Sequence, residues 1–109
     1  MTINEFIYYL RELNIEITDD QLNKLELYYD LLVEWNNKIN LTGITEHNEV
    51  YLKHFYDSLT IFRNIDLTKI ETLADIGTGA GFPGMVIKIL FPNIKVDLID
   101  SLGKRIIFL

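Results

Sequence analysis

The residues whose types and spacing could do chemistry lie together in Asp75-Ile76-Gly77-Thr78-Gly79-Ala80-Gly81-Phe82-Pro83-Gly84. Four glycines fall within eight residues, after one short apolar run and before another. Glycine permits positive φ and lets backbone approach a ligand more closely than a side chain would allow. A helix opening after such a loop aims its free N–H groups back at it. Asp100 closes the next apolar run, 19 residues after Gly81. A carboxylate there can accept hydrogen bonds from both hydroxyls of a ribose.

Two cofactors use this arrangement, and register separates them. A dinucleotide needs Gly-x-Gly-x-x-Gly directly after the strand. Gly79, Gly81 and Gly84 carry that spacing, but three residues late for a strand that ends at Ile76. S-adenosylmethionine is served by an acidic residue near the strand end followed by Gly-x-Gly-x-Gly. Asp75, Gly77, Gly79 and Gly81 fit that register. The sulfonium and amino groups of S-adenosylmethionine are cationic and suit the Asp75 carboxylate, whereas a pyrophosphate would be repelled by it. The remaining alternative is a glycine-rich turn with no ligand. Against it stands the conformational cost of so many glycines.

The elements that must position this loop can be read from hydrophobic period. Thr72 to Ile76 predicts a buried strand, and Ile94 to Asp100 a second strand with Ile94, Val96 and Leu98 on one face. Between them Phe82-Pro83-Gly84 opens a helix that Pro92-Asn93 stops. Ser101 to Gly103 turns the chain into a last helix from Lys104. A β-α-β unit of this kind implies a parallel pair. Residues 1–66 read as helical instead. Thr2 and Glu5 have capping-box spacing ahead of Phe6, Ile7 and Leu10. Thr18-Asp19-Asp20 opens a long helix to about Ile39, with Leu22, Leu25, Tyr28, Leu32 and Trp35 as its stripe. Thr45 or His47 starts a third helix to about Phe62. The fold class is therefore α/β, with a helical extension over 1–66 and the start of a cofactor-binding domain over 67–109. Two parallel strands cannot cover both faces of their sheet, so the expectation is the N-terminal piece of a longer α/β protein.

Composition narrows the function classes. The 109 residues are 49 % hydrophobic and 24 % charged, which excludes a disordered chain. Cysteine is absent, which removes disulfides, thiolate metal sites and thiol nucleophiles. The two histidines, His47 and His54, lack metal spacing, and no metal is expected. The net charge of −6 is uneven: five basic residues face twelve acidic ones in 1–66, against five and four in 67–109. That is a weak footprint for non-specific nucleic-acid binding. No basic leader is visible, and no run approaches the roughly 18 apolar residues of a membrane span. The expectation is a cytoplasmic protein. Tyr28, Tyr29, Trp35, Tyr51 and Tyr56 sit at helical spacing and are expected in the core rather than as a base-stacking platform.

Four runs in order carry a family resemblance over most of residues 34–105: Glu34-Trp35-Asn36 with Ile39-Asn40-Leu41-Thr42; Lys53-His54-Phe55-Tyr56-Asp57-Ser58-Leu59; the glycine segment; and Asp100-Ser101-Leu102-Gly103-Lys104-Arg105. In these the sequence resembles the N-terminal half of the bacterial 16S ribosomal RNA guanine-N7 methyltransferase family G, also called glucose-inhibited division protein B. The resemblance implies a class I, Rossmann-like S-adenosylmethionine methyltransferase fold behind a helical extension. It implies methyl transfer to N7 of one guanine in 16S ribosomal RNA, or in a small-subunit precursor. It carries cofactor contact to Gly77 and Phe82, supported by Asp75, Gly79, Gly81 and Asp100. It places Asn40 and His54 as catalytic residues at the rim of the substrate pocket. Guanine N7 offers an in-plane lone pair and no proton, so the transfer needs alignment rather than a general base. By spacing alone, His54, Asp57 and Ser58 share a helical face and equally suit a hydrogen-bond set that fastens the extension to the sheet. Lys104 and Arg105 suit phosphate contact or carboxylate pairing. A non-catalytic interaction module, or a methyltransferase of another substrate, is the alternative function.

Overall fold

The computed structural model of the chain describes residues 1–61, 63–100 and 103–109, with 104, 105 and 107 as backbone only. Helix α1 (Ile3–Glu12) opens on the capping box: Thr2 Oγ1 accepts from Glu5 N, and Glu5 Oε1 accepts from Thr2 N at 3.2 Å. Helix α2 (Asp19–Ile39) opens on a second box between Thr18 and Gln21 and ends at Asn40, whose φ of 57° is left-handed. Glu46 caps α3 (His47–Val50) by accepting from the N–H groups of Asn48 and Glu49. A π-helical stretch, Tyr51–Tyr56, then leads without a break into α4 (Asp57–Thr60). The third helix therefore changes winding midway, which an i+3/i+4 apolar pattern does not distinguish. Phe62, the expected end of that helix, lies outside the described residues.

Strand β1 (Thr72–Ile76) pairs in parallel with β2 (Lys95–Ile99), in a register that sets Asp75 beside Leu98 and Ile76 beside Ile99. Helix α5 (Gly84–Leu90) connects them, and α6 (Gly103–Phe108) follows. The turn expected at Ser101 and Leu102 lies outside the described residues, as do the side chains of Lys104 and Arg105.

The core is one cluster. Phe6, Leu10, Leu25, Leu32, Val50, Tyr51 and Phe55 of the helical part are buried together with Val86, Ile87 and Leu90 of α5 and Ile94. Burying each such side chain contributes about 1.5–3 kcal/mol. Helix α5 touches both strands as well as α2 and α4, so it is the shared wall between sheet and helical layer. Tyr28 and Tyr51 are core residues, as their spacing predicts. The strands are not buried on both sides. Leu73, Asp75, Val96 and Leu98 are half-covered, while Thr72, Ala74, Ile76, Lys95, Asp97 and Ile99 are exposed on the other face, Ile76 at 80 %. The expectation of a buried strand at Thr72–Ile76 is thus corrected: α5 covers one face of the sheet only.

Candidate functional site: the glycine loop

The loop begins where β1 ends and is fastened first to β2. The N–H groups of Gly77 and Thr78 both donate to the Ile99 carbonyl, at 2.7 and 3.0 Å. Gly77, Gly79 and Gly81 have φ of +72°, +62° and +102°. Side chains rarely adopt that region, so the alternating glycines are what let the chain coil back on itself. A Cβ at Gly77 or Gly79 would meet nothing within 4 Å, so bare backbone borders open space there. Gly81 and Gly84 are glycines for another reason. A Cβ at Gly81 would lie 2.7 Å from Tyr28 Oη and from Met85 Cγ; one at Gly84 would lie 2.3 Å from Leu98 Cδ2.

Two carboxylates hold the loop's shape. Asp75 Oδ2 accepts from Thr78 Oγ1 at 2.7 Å and from Gly84 N at 2.9 Å, tying the strand end to the first turn of α5. Asp100 Oδ2 accepts from Gly79 N at 2.8 Å. The acid ending β2 is thereby brought onto the loop that leaves β1. The Phe82–Pro83 peptide is cis. The Phe82 ring lies parallel to the His54 imidazole, with centroids 4.4 Å apart and planes 9° apart. Its other neighbours are Tyr28 at 5.5 Å and Phe55 at 6.0 Å.

Asp75, Gly77, Gly79, Gly81, Phe82 and Asp100 are therefore one continuous unit, and His54 joins it through Phe82. His54 Nε2 lies 3.1 Å from Thr42 Oγ1, and Thr42 N donates to Asn36 Oδ1 at 2.7 Å. Burial holds the His54 imidazole below the ordinary value of 6.5, against an opposing pull from Asp57, so its neutral form is favoured. Ser58 is buried and donates to the His54 carbonyl at 2.5 Å, whereas Asp57 is exposed. The face expected for His54, Asp57 and Ser58 is thus divided, the helix being π-wound at His54. Asn40 stands apart. It is exposed and terminates α2, and among the described residues no hydrogen bond joins its amide to His54 or the loop. Thr42 makes the connection instead.

Sequence reading missed three contacts, the third of them away from the loop. Tyr28 donates from its hydroxyl to the Ala80 carbonyl, 52 residues away. Gly84 packs the helix start onto β2. His47, read as a helix start, also bonds Glu26 Oε1 through Nε2 at 2.7 Å. No local pattern signals a contact between residues so far apart. Among the described residues no group of three or more His, Cys, Asp or Glu side chains is placed to hold a metal ion, and no helix is long and apolar enough to cross a membrane.

The family described as GidB, rRNA small subunit methyltransferase G, matches residues 21–109. Proteins named ribosomal RNA small subunit methyltransferase G are 58 % identical in Bacillus velezensis and 56 % in Bacillus subtilis over all 109 residues of the chain. That of Listeria monocytogenes is 51 % identical over the same span. The chain covers 46 % of each, so it spans about half the length of these curated relatives. With the match running through the glycine loop and both strands, the chain belongs to the rRNA small subunit methyltransferase G family.

Proposed function

We propose that this chain carries the cofactor loop of an S-adenosylmethionine-dependent methyltransferase that modifies N7 of a guanine in 16S ribosomal RNA, in the cytoplasm. In this reading residues 67–109 begin a Rossmann-like class I domain and residues 1–66 are a helical extension packed on it. The observation that carries it is the bond from Gly79 N to Asp100 Oδ2, which puts the acid of one strand end and the bare backbone of the other at one place. Open space beside Gly77 and Gly79 suits a nucleoside laid against backbone. Acids at both strand ends suit a cation and disfavour a pyrophosphate. Bound there, S-adenosylmethionine supplies an electrophilic methyl group.

The chain's own residues then bind and orient. In this reading Asp100 takes the ribose hydroxyls, and the backbone of Gly77 to Gly81 takes the methionine end. Asp75 keeps the loop in shape while leaving negative charge nearby. Phe82 and His54 form an aromatic wall beside the loop, and Asn40 with His54 is assigned to the RNA side on the family resemblance alone. A neutral imidazole suits this position. N7 needs no proton removed, and a fixed positive charge would oppose a cationic product base.

Equilibrium dialysis with labelled S-adenosylmethionine and with a nicotinamide dinucleotide tests the reading. Saturable binding of the first alone, displaced by S-adenosylhomocysteine, is the expected result. Preferential binding of the dinucleotide, or of neither, would overturn it. Since the chain spans about half its relatives' length, it is expected to transfer no methyl group to 16S RNA by itself.

A further inference from the structure

The peptide between Ala80 and Gly81 is held at both ends. Its N–H, on Gly81, donates to the Thr78 carbonyl at 3.0 Å. Its C=O, on Ala80, accepts from the Tyr28 hydroxyl. Among the described residues, the loop's hydrogen bonds to Ile99, Asp75 and Asp100 come from the strand-helix-strand unit. The one at Ala80 reaches across from the middle of α2. Tyr28 is only 5 % exposed, and its ring lies against Phe55 at 5.6 Å, Phe82 at 5.5 Å and Phe108 at 6.3 Å. The ring is therefore held by its neighbours, and the hydroxyl is largely shielded from water. The fit is reciprocal: the space a Gly81 side chain would need is the space the Tyr28 hydroxyl fills.

We infer that Tyr28 is a positioning residue for the cofactor loop, setting the Ala80–Gly81 peptide from the helical layer so that Gly77 to Gly81 are preorganised for the ligand. This rests on the cofactor reading proposed above. The helical extension thus shapes the loop as well as flanking it. Preorganisation raises affinity because the loop need not be ordered when ligand arrives. A phenylalanine at position 28 keeps the ring contacts and leaves the Ala80 carbonyl without its buried donor.

The test compares Tyr28→Phe with Tyr51→Phe, which removes a hydroxyl bonded to Glu26 in the same helical layer but away from the loop. Backbone amide exchange is followed in the ligand-free 109-residue chain, and labelled S-adenosylmethionine binding in parallel. Tyr28→Phe is expected to speed exchange at Gly79 and Gly81 about tenfold, with the β1–β2 amides unchanged, and to weaken cofactor binding about tenfold. Tyr51→Phe is expected to leave both readouts at the loop as they are. Unchanged loop exchange in Tyr28→Phe, equal loosening of loop and strands, or the same loop effect from Tyr51→Phe would overturn the inference. Absence of binding in the unmodified chain would instead sink the cofactor reading, with amide exchange still deciding the role of Tyr28.

Discussion

Two parts of the molecule solve the same problem with different material. Between α2 and α3, Glu26 is a carboxylate that gathers side chains: its Oε1 accepts from Tyr51 Oη at 2.5 Å and lies 2.7 Å from His47 Nε2. At the strand ends, Asp75 and Asp100 are carboxylates that gather backbone, taking the N–H groups of Gly84 and Gly79. The first cluster links two helices, and its loss is a loss of stability. The second fixes a stretch of chain with almost no side chains of its own, so its loss is a loss of shape in the loop proposed to bind the cofactor. A fold can thus be rigid in one place for its own sake and in another for its site.

The sharpest way to separate the two is to damage each. Tyr51 is fully buried, edge-on to Phe6 at 5.0 Å and to Phe55 at 4.9 Å. Tyr51→Ala is expected to cost about 3–5 kcal/mol by leaving a cavity and freeing Glu26 from a donor. Urea denaturation reads this directly. Whatever fraction remains folded should bind S-adenosylmethionine as before. A weaker intrinsic affinity in that variant would show the two regions to be one.

Gly84→Ala attacks the other region. The added methyl would sit 2.3 Å from Leu98 Cδ2 and 3.0 Å from Asp75 Oδ2, so the Leu98 side chain must turn aside and the Asp75–Gly84 bond must adjust. The expected cost is about 1–3 kcal/mol. The decisive measurement is binding: cofactor affinity should fall by more than the loss of folded protein explains, the reverse of Tyr51→Ala.

What could be read in the sequence follows the same division. Thr2 with Glu5, and Thr18, mark helix starts through bonds that are local, and the structure has both. The strand-loop-helix-strand order is likewise local, written in apolar period and glycine spacing. The grouping of Asp75, Gly77, Gly79 and Asp100 was legible because consecutive parallel strands must bring their ends together. The bonds from Tyr28 to Ala80 and from Glu26 to His47 were not, since they depend on how α2 lies against its neighbours. Nor was the π-helical turn, because Tyr51, Phe55 and Leu59 recur every four residues in either winding.

A control lies at the start of α2, the helix that carries both Glu26 and Tyr28. Thr18 Oγ1 accepts from Gln21 N at 3.1 Å. Thr18→Ala is expected to cost about 1 kcal/mol by removing that cap. Because it frays a helix common to both regions, it should lower thermal stability without favouring one site's readout over the other. A selective loss of cofactor binding would mean that the helix start belongs to the loop's support.

The smallest effect is a slope, and it contrasts the two histidines. At His47, burial disfavours the charged imidazole, but hydrogen bonds to Glu26 and Asn48 outweigh it and raise the pKa above the ordinary 6.5. Its contribution is therefore complete below 6.5 and is lost as pH rises through the folded value. Glu26 does not interfere. Burial raises its pKa, but bonds from Tyr51 and His47 more than reverse this, so its own contribution is lost only as pH falls below the carboxylate's ordinary 4.5. At His54 burial dominates and the pKa is lowered, so the unfolded chain takes up the proton first. Stability there falls as pH drops below 6.5, until the folded value is passed. The two residues thus bend the pH profile in opposite directions on either side of 6.5. Chemical denaturation from roughly pH 5 to 9 resolves this. His47→Gln should flatten the decline on the alkaline side, and His54→Gln the rise on the acid side. If both variants flatten the same limb, the two imidazoles share one environment and the contrast between the regions is lost.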